Sequence, residues 1–117
     1  MKTPKEFTAL VTAAHAAGLA AAAATTPEPM VLGDATITYI IPGGVCGFAG
    51  VRIRPATSSF ARWMKKTGLA RSSYYGGLET SVREFGQSMG LKMAYARAYA
   101  DTLSAAGIDA YAWDRID

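Results

Sequence analysis

Apolar residues recur at helical spacing near the start of the chain, with Phe7, Leu10, Val11 and Ala14 on one stripe. Thr3-Pro4-Lys5-Glu6 precedes them and supplies a hydroxyl cap, a proline suited to the first turn and a glutamate that completes a capping box. This spacing predicts a helix to about Ala24. Beyond Ala14 its side chains are nearly all small, with Gly18 among them. Alanine methyls contribute little buried area each. Two dispositions fit such a helix: it lies on its own domain, or it is an arm packed against a second protomer.

After the stiff segment Thr26-Pro27-Glu28-Pro29 the pattern changes to a period of two. Met30-Val31-Leu32 reads as a short strand, Gly33-Asp34 as a turn and Ala35 to Ile41 as a strand, followed by a turn at Pro42-Gly43-Gly44. In the next strand, Phe48 to Arg54, Ala49, Val51 and Ile53 share one face. Phe48, Gly50, Arg52 and Arg54 share the other, so that face carries two cations, a ring and a gap. Pro55 stops the strand. Thr57 or Ser58 caps a short helix through Phe60, Trp63 and Met64, closed by Gly68. Ser72 to Tyr75 reads as strand-like and leads to Gly76-Gly77, and Leu78 to Val82 reads as a further strand. Ser88 caps a last helix, Met89 to Ala106, whose core stripe is Met93, Ala96, Ala100 and Leu103. Gly107-Ile108 stops it, and Asp109 to Trp113 forms a final short strand with Ala110 and Ala112 toward the core.

This order predicts an α+β fold: an alanine-rich N-terminal helix, then a small mixed or antiparallel sheet with two helices packed on one side. Residues 1–29 form the helix and linker, a candidate oligomerisation arm, and residues 30–117 form an α+β ligand-binding domain. Of the 117 residues half are hydrophobic, enough for a real core, and 18% are charged, below the usual share of roughly 25%. The surface is therefore rich in small neutral side chains that can pack against another copy. A net charge of +3 is modest for a protein dedicated to duplex DNA, where phosphate contacts dominate affinity. Cys46 is the single cysteine, which leaves no internal disulfide and favours a reducing compartment. Lys2 and Lys5 before an alanine run have something of a signal peptide, but Glu6, His15 and the lack of a leucine-rich stretch weigh against one. No apolar run is expected to reach the roughly 20 residues of a membrane span. The expectation is a cytoplasmic protein with no membrane partner.

Candidate chemistry is concentrated in one block. From Ala35 to Leu78 there is no aspartate or glutamate, while Arg52, Arg54, Arg62, Lys65, Lys66 and Arg71 alternate with aromatic residues and glycine clusters. Cation, ring and bare backbone together suit an anionic, flat ligand, and nucleotides are the obvious class. Phe48, Arg52 and Arg54 are candidate ligand residues because they share a strand face, and arginine offers phosphate paired donors. Tyr74 and Tyr75 are candidates for stacking, since at most one of two adjacent strand residues is core. Gln87 and Ser88 precede a helix N-terminus, which attracts anions. Arg115 lies beside Trp113 and Ile116, a tail apolar enough to dock. Arg62, Lys65 and Lys66 read as a solvated helix face.

Catalytic sets are thin. His15 is the only histidine, and no cysteine or histidine cluster has zinc spacing. Glu79 with Glu84, and Asp109, Asp114 and Asp117, are scattered for a metal-dependent hydrolase. Gly43 to Gly47 lacks the Lys and Ser/Thr of a nucleoside-triphosphate loop. The expectation is binding without catalysis and without cofactor or metal.

Cys46-Gly47-Phe48-Ala49-Gly50-Val51, Phe60-Ala61-Arg62-Trp63, Tyr75-Gly76-Gly77, Gln87-Ser88 and the closing Arg115-Ile116-Asp117 together resemble a diffuse family of small phage-encoded proteins, over roughly residues 42–117. In size and layout the chain resembles the viral sponges that sequester nucleotide immune signals, of the anti-Thoeris kind that hold cyclic ADP-ribose isomers. That resemblance implies a homo-oligomer in the cytoplasm of an infected host cell, with a pocket between protomers and no turnover. Two other readings stay open: a phage inhibitor that binds a host defence protein such as a CRISPR effector, and a single-stranded nucleic-acid binder. A sponge needs an enclosed pocket, an inhibitor an open patch, and a strand binder a groove with steep salt dependence.

Overall fold

The computed structural model describes residues 3–25, 30–33, 38–41, 47–85 and 88–116. Helix α1, Pro4–Ala23, starts as its capping residues dictate: the Thr3 hydroxyl accepts the Glu6 backbone N–H at 3.3 Å. Phe7, Ala14, Gly18 and Ala22 are its buried face. Helix α3, Met89–Ala105, begins at Ser88, whose hydroxyl accepts the Leu91 N–H. The two helices pack along each other, with the Tyr95 ring seated on Gly18. One of the small-residue faces of this helix, Ala14, Gly18 and Ala22, is thus covered by α3 of the same chain, while Ala13, Ala16, Ala20 and Ala23 stay exposed. By length and composition α1 is also apolar enough to cross a membrane, which corrects the expectation that no run reaches that length. The modest hydropathy of alanine suffices when summed over so many residues.

Strands β1, Met30–Gly33, and β2, Thr38–Ile41, pair antiparallel in a separate two-stranded sheet. Residues 35–37 of the expected strand, and the expected turn at Pro42-Gly43-Gly44, lie outside the described residues, as does Cys46.

The main sheet has four strands: β3, Gly47–Arg54; β4, Arg71–Ser72; β5, Leu78–Glu79; and β6, Asp109–Ile116. Their order is β4-β5-β3-β6 and every pairing is antiparallel. β6 runs past Trp113, because the tail pairs with β3 all the way from Arg54↔Asp109 to Gly47↔Ile116. β5 is shorter than the predicted Leu78 to Val82. The chain beyond it still follows β3, with the N–H groups of Thr80 and Val82 donating to Val51 and Ala49 carbonyls at 2.8 Å each.

Ala49, Val51 and Ile53 are buried on the inner face, as their alternation predicts. Val51 and Ile53 join one core with Phe60 and Met64 of helix α2, Ser59–Lys66, and with Ala96, Ala100 and Leu103 of α3. Phe7 of α1 closes that core by packing its ring against Phe60 and Trp63. Ser58 caps α2, and Gly68 adopts positive φ just past its end. Met93 is only half-buried. Tyr95 and Tyr99 are buried instead, because α3 packs on α1 as well as on β3 and β6. Burial pushes the Tyr99 phenol up to about 12. It pushes Tyr95 up as well, with the Glu84 carboxylate and Tyr99 adding to the effect.

Candidate functional site

The outer face of the sheet carries the other half of the alternation. Phe48, Gly50, Arg52 and Arg54 of β3 stand opposite Arg115, Trp113, Tyr111 and Asp109 of β6. Among the described residues no helix covers this face. The gap that Gly50 opens in β3 is filled by the Trp113 indole: a Cβ at Gly50 would lie 2.8 Å from that ring and would collide with the Thr80 carbonyl oxygen.

Beside Trp113, the turn between β4 and β5 rises over the sheet. Of the segment Ser72 to Tyr75, which the residue types suggest is strand-like, only Ser72 belongs to a strand, and Ser73 to Tyr75 form a turn. The Ser73 N–H donates to the Gly77 carbonyl, and Gly76 and Gly77 take positive φ, so the chain reverses at the tyrosines. Both rings consequently stay out of the core, Tyr74 93% and Tyr75 69% exposed, and they meet edge to face at 5.3 Å. Gly77 has no side chain where the Ile53 carbonyl and the Arg54 stem approach. The Arg54 guanidinium donates to the Tyr75 carbonyl at 3.2 Å, so it braces the turn.

Arg52, Arg71, Tyr74, Tyr75, Glu79, Trp113, Asp114 and Arg115 line one open concavity of about 480 Å³. The Arg52 side chain is only 13% exposed. Its guanidinium carbon lies 5.0 Å from the centre of the Tyr75 ring and 5.7 Å from that of Tyr111. Glu79 stands 3.9 Å from both Arg52 and Arg71 and offsets part of their charge. Two donors on this face, Arg52 Nε and Trp113 Nε1, are buried without an acceptor among the described residues. At the far end Phe48 lies between two cations, Arg115 at 5.1 Å and the Lys92 ammonium at 5.4 Å from its ring centre. Lys92, itself 5% exposed, donates to the Gly47 carbonyl at 3.2 Å.

Of the residues expected to bind ligand, Arg52, Tyr74, Tyr75 and Arg115 meet in this concavity. Arg54 flanks it, and Phe48 marks its far end. Ser88 is buried as the cap of α3 and is not among the lining residues, and Gln87 lies outside the described residues. Tyr111, Arg71 and Lys92 were not expected here. The period-two run Asp109, Tyr111, Trp113, Arg115 is the signal that carries Tyr111 and Trp113, once β6 is extended to Ile116.

Of the carboxylates considered for hydrolytic chemistry, Glu79 and Asp114 line this concavity. His15 is on α1, with its Nδ1 bonded to the Tyr95 hydroxyl at 2.5 Å. Among the described residues no group of three or more His, Cys, Asp or Glu is placed to hold a metal ion. Compared with known proteins, the chain matches no family model, no curated protein and no solved structure.

Proposed function

We propose that the protein binds a phosphate-bearing nucleotide on the outer face of its sheet and does not transform it. The observation that carries this reading is the convergence of Arg52, Tyr75, Trp113 and Arg115, from three separate stretches of sequence, in one open concavity. Arginine supplies charge-assisted donors to phosphate, and an exposed tyrosine ring offers a base a stacking surface worth roughly 1–3 kcal/mol. Arg52 Nε and Trp113 Nε1, which have no acceptor among the described residues, support an acceptor-rich ligand. Arg52 is the first-ranked cation of the site because it lines the concavity, held there by the Tyr111 hydroxyl and Glu79, whereas Arg54 flanks it and braces the turn through the Tyr75 carbonyl.

The concavity is open toward solvent. Sequestration of a cyclic nucleotide immune signal, which the resemblance to phage proteins implies, is the form of this reading in which a second protomer closes the open side. Calorimetry with a panel of mononucleotides, cyclic dinucleotides and cyclic ADP-ribose isomers tests the proposal, with product analysis of the same mixtures. Arg52→Ala should weaken binding about ten- to a hundredfold, for the loss of a charge-assisted bond of roughly 1.5–3 kcal/mol. Lys65→Ala, on α2, should leave it unchanged. Absence of binding across the panel would move the open patch to the alternative reading, an inhibitor that docks on a host protein.

A further inference from the structure

The outer face holds its ring-and-cation arrangement twice. One unit is Phe48, partly exposed, with Arg115 and Lys92 at 5.1 and 5.4 Å from its ring centre. The other is Tyr75 with Tyr111, held around Arg52 at 5.0 and 5.7 Å. Trp113 lies between them over Gly50. Phe48 and Arg52 are four positions apart on β3, and Arg115 and Tyr111 four apart on β6. At the rise of a strand this separates the units by roughly 13 Å. A single nucleotide has one base and engages one unit. A ligand in which base and phosphate themselves repeat engages both.

Resting on the nucleotide-binding reading, we propose that the natural ligand of this face is single-stranded nucleic acid, laid across β3 and β6 with two bases, separated by one nucleotide, on the Tyr75 and Phe48 units and the intervening nucleotide passing Trp113. Sheets with helices on one face and exposed rings on the other stack two or three bases of a single strand in this manner. Charge agrees with it. Arg52, Arg54, Arg71, Arg115 and Lys92 lie on or beside the face, against Glu79, Asp109 and Asp114. Lys92 is the most telling of these cations. It is almost fully buried, its hydrogen bond goes to the Gly47 carbonyl, and no carboxylate lies within ion-pair distance of it among the described residues.

Fluorescence anisotropy on the full chain, with labelled oligothymidylate and oligouridylate of increasing length and mononucleotides as competitors, tests the proposal. Affinity should rise at least tenfold from mononucleotide to tetranucleotide. The logarithm of the affinity should fall with the logarithm of salt at a slope of about −1.4 to −2.1, for two or three phosphate contacts. Phe48→Ala and Tyr75→Ala remove exposed rings and leave the core intact, and each should return the tetranucleotide to the affinity of the mononucleotide. The DNA and RNA arms identify which strand is preferred. A mononucleotide that binds as tightly as the tetranucleotide, or a Phe48→Ala variant that binds the tetranucleotide like the parent, overturns the strand proposal and leaves the nucleotide site standing. Failure of both nucleotides and oligomers to bind overturns the two together.

Discussion

A methyl group added at Gly50 would collide with the Thr80 carbonyl oxygen, a backbone atom, and press on the Trp113 ring, so the two strands must shift to admit it. Gly50→Ala should therefore cost about 2 kcal/mol or more in urea denaturation, in the range of overpacked sites. Gly90 is the contrast. Nothing lies within 4 Å of its missing Cβ, and it sits in the first turn of α3. Gly90→Ala should be neutral or stabilise by up to about 1 kcal/mol. Equal loss of stability in the two variants would contradict this account of the face. Gly50 also shows where residue-level reading stops. The alternation of Phe48 to Arg54 exposes a gap between two cations, and that much is local. Which side chain fills the gap depends on the register Gly50↔Trp113, set by a strand more than sixty positions away. Arg54 illustrates the same limit. Its face is legible, while its bond to the Tyr75 carbonyl needs the turn to be built first.

Elements were more legible than contacts. The caps at Thr3, Ser58 and Ser88 and the stop at Gly107 follow from side-chain chemistry within a few residues, and all act in the fold. The inner stripe of β3 and the docked tail were legible for the same reason. The buried tyrosines of α3 were not, because an amphipathic pattern reports one buried face and α3 has two. The seat of Tyr95 on Gly18 yields a prediction at this scale. Gly18→Val should push the ring away and loosen α1 from α3. Hydrogen exchange should show α1 amides losing protection before those of β3. Protection that falls equally in α1 and β3, or not at all, would contradict a helix held chiefly by that contact.

For the whole molecule, the two tyrosines set an alkaline limit. Burial raises both phenols above the ordinary value of about 10. A group whose folded pKa is raised holds its proton better in the fold. Its contribution is therefore complete below about pH 10 and is lost as pH climbs through the folded value. For Tyr99 that window runs from the ordinary value up to about 12. Absorbance titration of the phenols, followed together with circular dichroism, should show late ionisation that coincides with unfolding. Ionisation of every tyrosine near pH 10, about the value of the free side chain, with the fold intact would refute it.

The central claim is that nucleotides bind the outer face of the sheet, and amide NMR of the whole chain tests it most directly. With AMP as one probe and a thymidylate tetranucleotide as the other, the account predicts shifts at Phe48, Arg52, Tyr75 and Arg115 and at the Trp113 indole N–H. The amides of α1 and of Lys65 should stay in place. Shifts confined to α1 and α2, or no shift with either probe, would contradict it.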